Sequence, residues 1–93
     1  MNTTKTAQFT PGPWVTNKNA VVPCIYGPDD NLIATIHPHR KRDINLIAAA
    51  PAMYEALQIM VRAANVDEID PLVMFASIER ARHVLKLAEG KSA

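Results

Sequence analysis

The sequence has few cysteines, glycines and aromatic residues, and each shortage excludes a class of protein or site. A single cysteine, Cys24, cannot form an internal disulfide, so the chain is not a disulfide-held domain and a reducing compartment fits it. Three scattered glycines cannot form the glycine-rich loop that cradles phosphates. The five aromatic residues are not interleaved with basic ones, which argues against a nucleic-acid stacking surface.

The chain also lacks a large net charge and a long apolar run. Ten Lys and Arg residues are balanced by nine Asp and Glu residues, which leaves a formal net charge of +1. A charge this small creates no overall field that would attract nucleic acid or anionic lipid. No apolar run approaches the roughly 20 residues that span a bilayer, and "MNTTKTAQF" (1–9) lacks the apolar core of a signal peptide. We therefore expect a cytoplasmic protein with neither a membrane nor a nucleic acid as its direct partner.

The remaining composition is that of a small globular protein. Apolar residues make up 48% and charged residues 20% of the 93 residues, which predicts one domain over residues 1–93. A chain of this length buries only roughly 60–70% of its unfolded surface, so assembly would add stability. A homodimer is therefore one expectation.

Residues 9–39 have the pattern of a β meander, and residues 1–8 before it are expected to be flexible. Short β-branched runs at 14–16, 20–26 and 31–37 are separated by turn residues, which predicts three antiparallel strands. Pro28 and the Asp and Asn residues beside it predict a hairpin between strands two and three. Pro23 places strand two at an edge, or itself at a bulge or strand start. Alternation in strand three predicts Leu32, Ala34 and Ile36 on one face and Ile33, Thr35 and His37 on the other.

Residues 43–90 have the composition of helices. Asp43 can cap or open a short first helix, and Pro51 then fits the first position of a second helix, so the chain bends there. Asp70-Pro71 repeats this start signal for a last helix, which Gly90 ends. The predicted fold class is α+β, a small three-stranded antiparallel sheet followed by a kinked helix and a helical hairpin packed on it.

The segment "HPHRKRD" (37–43) is the most unusual candidate site. It is either a solvated loop or an anion-contacting surface, which could touch phosphate, RNA or an acidic protein. Two histidines without a third ligand at standard spacing do not predict a metal site, and no residue set predicts a cofactor or catalysis. The partner-binding candidates are His37, His39, Arg40, Lys41 and Arg42.

Three stretches carry a family resemblance. "FTPGPW" at 9–14, "IATI" at 33–36 and "NLIAAAPAMYEAL" at 45–57 resemble small bacteriophage and prophage accessory proteins, which have an N-terminal TPGPW motif and an NLIAAAP helix. The resemblance implies a phage origin and the cytoplasm of a bacterial host. Several phage proteins of this size block host defences such as CRISPR–Cas by binding a protein component. No catalytic residues belong to these motifs, so none are inferred here.

Three functional hypotheses follow. The first is a non-enzymatic phage protein that inhibits a host protein complex, such as a CRISPR–Cas component, by occluding its surface. The second is a self-assembling structural or interaction module, and the third is an oligomeric binder of a phosphate-containing small ligand. Trp14 fits either the edge of the core or an interface, where aromatic residues concentrate.

Overall fold

The computed structural model describes residues 9–65 and 67–91 of the chain. The expectation that residues 1–8 are flexible lies outside the described residues. Within the described ranges, the α+β fold class is confirmed. The elements in chain order are β1 (Val15–Asn17), β2 (Cys24–Tyr26), β3 (Leu32–Thr35), α1 (Ile44–Ala48), α2 (Ala50–Ala64) and α3 (Pro71–Ala88).

The three strands form an antiparallel sheet in the order β1-β2-β3. The predicted hairpin between strands two and three is confirmed, since a 3-10 turn at Pro28–Asp30 joins β2 to β3. Asp29 and Asp30 have φ angles of 61° and 58°, the left-handed geometry that aspartate tolerates better than most residues. β2 is the central strand of the sheet, and Pro23 immediately precedes it. Of the alternatives predicted from Pro23, the strand start is therefore correct and the edge strand is not.

The third strand does not alternate as predicted, because the pairing of β2 with β3 contains an irregularity. Ile25 pairs with Ala34, but the next residue of β2 pairs with Leu32, which leaves Ile33 between the two pairs. Ile33 and Ala34 both pack against the core as a result, and Leu32 is exposed. The predicted faces of Leu32 and Ile33 were therefore wrong, since an extra residue in one strand reverses the side chains beyond it.

The hydrophobic core lies between the sheet and α1. Ile25 from β2 and Ile44 from α1 are completely buried, and Ile36 joins them just after β3. Trp14, the partly buried residues of β3 and Ala48 surround this cluster. Because so few large side chains are fully buried, these isoleucines provide a large share of the apolar burial at this end of the molecule.

The predicted bend at Pro51 is confirmed. Ala49 separates α1 from α2, and Pro51 is the second residue of α2, where its missing amide costs no helical hydrogen bond. Asp43 occupies the position before α1, but its carboxylate makes no capping hydrogen bond. The chain enters α1 through 3-10 turns over Pro38–Asp43 instead.

Helices α2 and α3 form the predicted helical hairpin. Asp70 caps α3, because its Oδ1 accepts a hydrogen bond from the amide of Leu72 at 2.9 Å. Small buried residues, Ala56 and Ala63 on α2 and Ser77 on α3, occupy the inner faces. Past the end of α3, Gly90 has a φ of 82°, the left-handed C-terminal geometry that favours glycine.

The molecule is elongated. It measures 51 × 31 × 19 Å, and its radius of gyration of 15.5 Å exceeds the about 13 Å of a compact 100-residue domain. The sheet meets the helical region mainly through α1, while α2 and α3 contact chiefly each other. The far end of the hairpin therefore extends beyond the sheet and leaves much of the surface of α2 uncovered.

Candidate functional site

The structure places all five predicted partner-binding side chains on one exposed connection between β3 and α1. We call residues 37–42 the basic loop. His37, His39, Arg40, Lys41 and Arg42 are all exposed.

Local contacts hold the two histidines of the basic loop together. The Nδ1 atom of His37 accepts a hydrogen bond from the amide of His39 at 3.1 Å. The two rings lie edge to face with their centroids 5.0 Å apart. Among residues 9–65 and 67–91 there is no group of three His, Cys, Asp or Glu side chains that could hold a metal ion. The arrangement gives the loop a defined shape rather than a ligand set.

The three permanent cations of the basic loop have no carboxylate partner within the described part of the chain. Arg40, Lys41 and Arg42 form none of the ion pairs found there. Those pairs join Glu55 to Arg80, Glu79 to Arg82 and Glu89 to Lys91. An external anion would therefore meet charges that are not already neutralised, and arginine in particular suits carboxylate or phosphate oxygens.

A second feature appears where two sequence motifs meet. The N-terminal motif (residues 9–14) crosses the alanine-proline motif (residues 45–51) so closely that a Cβ on Gly12 would lie 3.0 Å from the Cβ of Pro51. Beside this crossing lies a cleft of about 360 Å³, which we call the motif cleft. Its lining includes Gly12, Trp14, Asn45, Pro51, Glu55 and Leu87.

Trp14 packs at the edge of the core, beside this crossing. It is half-buried and packs against the isoleucine cluster. Its indole Nε1 donates a hydrogen bond to the carbonyl of Thr10 at 3.1 Å. Trp14 also separates the motif cleft from a smaller one that contains Phe9 and Tyr54. These contacts fit the first of the two roles predicted for Trp14, a position at the edge of the core.

Two polar side chains, Asn45 and Glu55, reach the motif cleft. Asn45 lies close to Gly90, since a Cβ on that glycine would be 2.6 Å from the Asn45 Nδ2 atom. Glu55 is paired with Arg80 at 3.2 Å. An amide and a paired carboxylate can orient a bound group by hydrogen bonds, but they do not form a nucleophile and base. Sequence reasoning missed this cleft because its walls are more than 30 residues apart along the chain.

The exposed face of the sheet carries Cys24 and Tyr26 two residues apart on β2. The thiol of Cys24 donates a hydrogen bond to the carbonyl of Val22 at 3.1 Å. Cys24 raises the pKa of Tyr26 above the ordinary value of 10.0, first through a side-chain hydrogen bond and then through an electrostatic interaction. Both effects favour the neutral phenol.

One stretch of the described residues, Pro38–Ala64, has the length and mean hydropathy of a membrane-crossing helix. It is not one straight helix, because it consists of the 3-10 turns, α1 and α2 with the bend at Ala49. Core packing explains part of its apolar character, because Ile44 of α1 is a residue of the hydrophobic core. A single such stretch is weak support for a membrane span.

Comparison with known proteins identifies one family. No curated protein and no solved structure is significantly similar to the chain. The model of one family, described as Salmonella phage P22 protein Y8K6, matches residues 1–92. Because the match covers nearly the whole chain, this protein belongs to the phage family of Salmonella phage P22 protein Y8K6.

Proposed function

We propose that the chain is a non-enzymatic phage protein that binds a host protein complex in the bacterial cytoplasm and blocks its surface. A CRISPR–Cas component is one such target. The observation that carries the proposal is the basic loop, with its three exposed cations and no intramolecular carboxylate among the described residues. Membership of a phage family supports the setting of the proposal but not the identity of the target.

The chemistry of the basic loop favours an acidic protein surface as its target. Arginine binds carboxylates through two parallel hydrogen bonds, which gives geometric specificity as well as attraction. Nucleic acid is less favoured, because the formal net charge is only +1. A small phosphate-containing ligand is not favoured either, since Arg40, Lys41 and Arg42 do not line the motif cleft.

The test is a tagged capture experiment from host lysate, with and without nuclease, read by mass spectrometry. We expect a stoichiometric protein partner that survives nuclease treatment. Replacing Arg40, Lys41 and Arg42 together by alanine should remove most of that partner without unfolding the domain, because all three side chains are exposed. Capture should also weaken as salt is added, since exposed charges are screened.

A matched control replaces Lys18, Lys86 and Lys91 by alanine. Both triple variants change the formal net charge from +1 to −2 by losing three cations, so they share the change in total charge. They differ in where the charge is lost and in the two arginines that only the basic-loop variant loses. The control should retain the partner. A basic-loop variant that retains the partner as well as the control does would exclude the basic loop as the contact surface. A partner that disappears with nuclease would point to nucleic acid instead.

A further inference from the structure

The first turn of the basic loop is held through His37. The 3-10 turns over Pro38–Asp43 follow this residue directly. Pro38 has no amide hydrogen, so the first donors of the turn are the amides of His39 and Arg40. The His39 amide donates to the Nδ1 atom of His37 at 3.1 Å, and the Arg40 amide donates to the carbonyl of His37 at 2.7 Å. Both amides therefore depend on His37, one on its ring and one on its backbone.

The ring of His37 can accept this hydrogen bond only while it is neutral. A neutral imidazole has one protonated nitrogen and one that accepts, whereas both nitrogens of an imidazolium are donors. Because Nδ1 is the acceptor, the proton of the neutral ring lies on Nε2. A second proton must go to Nδ1, where it points at the amide hydrogen of His39. Protonation therefore replaces a hydrogen bond with a repulsive contact between two donors.

The charges of the basic loop also act against a protonated His37 ring in this position. The ring of His39 lies edge to face with it, and their centroids are 5.0 Å apart. The same loop carries three permanent cations, Arg40, Lys41 and Arg42. With both histidines protonated, five of the six residues at 37–42 are cations, and like charges this close repel one another. Asp43, at the end of the 3-10 turns, is the one acidic residue of the segment 37–43.

The elements beside the basic loop supply no carboxylate that would hold a protonated ring. Helix α1 packs against the loop, and its residues Ile44–Ala48 include no titratable side chain. Just before the loop, the Ile36 amide donates to the carbonyl of Pro23 at 2.7 Å, and the three residues before Pro23 are uncharged. Cys24 follows there with its thiol hydrogen in place as a donor. The neutral form of His37 is thus the form that fits this site.

We propose that His37 is a pH-sensitive cap: its neutral imidazole holds the basic loop in the shape described, and protonation releases the first turn of the loop. Histidine is the side chain that ordinarily gains its charge between pH 5 and 8. An exposed turn held by few hydrogen bonds opens at low free-energy cost, so the loss of one bond changes its order. The loop is then ordered near neutral pH and mobile in acid. This switch goes beyond the proposed host target and does not depend on it, because it concerns contacts within the chain.

Amide exchange with solvent, measured by NMR at positions 39 and 40 of the full chain, tests the cap. The His39→Asn variant is the background, because it keeps the amide at position 39 and removes the titration of that ring. Protection is expressed relative to an unstructured peptide of the same sequence. In this background the protection of both amides should fall roughly three- to tenfold from about pH 8 to about pH 5, because the bond to the ring is lost. At about pH 8, nitrogen shifts of the His37 ring should place its proton on Nε2.

Three additions to this background are the controls. Adding His37→Asn should make the protection of both amides independent of pH, because the side-chain oxygen of asparagine accepts a capping hydrogen bond and does not titrate. Adding His37→Ala should remove the protection at position 39 over the whole range, because no side-chain acceptor remains. Adding His83→Asn removes another exposed histidine, on α3, and should leave the pH dependence unchanged.

Several results would overturn the proposal. A neutral His37 ring with its proton on Nδ1 could not accept the hydrogen bond. Protection that is independent of pH, or that falls equally after His37→Asn, would remove His37 as the cause. A loss confined to position 39 would show that the bond breaks without releasing the turn. The amide of the buried Ile25 should keep its protection over the same pH range, and an equal loss there would attribute the change to global unfolding instead.

Discussion

The crossing of the two motifs leads to a specific prediction about Gly12. Replacing Gly12 by alanine adds a Cβ 3.0 Å from the Cβ of Pro51 and 3.6 Å from its Cγ. Unstrained carbon atoms are about 3.5–4.0 Å apart, so the chain must separate by roughly half an ångström. The proline ring cannot rotate away, because it is buried at the beginning of α2.

The expected loss of stability follows from two opposed effects. Overpacking costs about 1–3 kcal/mol, while removing a glycine restricts the unfolded chain and returns about 0.4–1 kcal/mol. The net loss should be about 1–2 kcal/mol, which lowers the melting temperature by about 5–15 °C in a domain of this size. Thermal unfolding followed by circular dichroism at one fixed protein concentration measures this shift.

Gly27→Ala is the matched control for Gly12→Ala. Its added Cβ would also be close to other atoms, at 3.1 Å, but these are the ends of the Ile33 and Thr10 side chains. Side chains can adjust by small rotations, whereas a buried proline ring cannot. We therefore expect Gly27→Ala to lose less stability than Gly12→Ala. A Gly12→Ala protein that melts at or above the wild-type temperature would refute the inference that the two motifs are tightly packed.

Three further predictions concern the core, a helix start and the sheet. Ile44→Ala should destabilise the fold by about 2–5 kcal/mol and Ile44→Val by about 0.5–1.5 kcal/mol, because Ile44 is completely buried; chemical denaturation measures both, and equal losses would contradict a filled core. Asp70→Ala should cost about 1 kcal/mol through loss of the hydrogen bond to Leu72, whereas Asp67→Ala, a nearby exposed control, should cost less; denaturation midpoints compare them. In a Tyr54→Phe background, ultraviolet titration should show Tyr26 ionising above pH 10, and adding Cys24→Ala should lower that pKa. A raised pKa in the folded state means that the contribution of Tyr26 to stability is present below pH 10 and is lost as pH rises through the folded pKa. A titration of Tyr26 that does not change after Cys24→Ala would contradict the assigned cause.

Local chemistry explains which parts of the fold could be predicted from the sequence. The turn at Pro28–Asp30, the bend at Pro51 and the start of α3 at Asp70-Pro71 each depend on residues within a few positions of one another. Proline fixes φ and removes an amide, and a short acidic side chain can cap a helix. The exposure of the basic loop could also be predicted from local sequence, because several adjacent charges are costly to bury.

Features that depend on distant residues were not predictable in the same way. The side of the sheet on which Leu32 and Ile33 lie depends on the pairing register between β2 and β3. The motif cleft requires Gly12 to reach Pro51, although each motif alone has an adequate local explanation. Likewise, a periodic apolar pattern on α2 does not reveal which apolar side meets α3 and which remains exposed.

The elongated shape implies that the two ends of the molecule open with different free energies. The sheet and α1 enclose the isoleucine cluster, so amides such as that of Ile25 should exchange with solvent only during global unfolding. At the opposite end, α2 and α3 terminate near residues 64–71, where the described side chains are mostly exposed and few contacts resist fraying. Hydrogen exchange should therefore show a gradient along the 51 Å axis, fastest at the tip of the hairpin and slowest in β2.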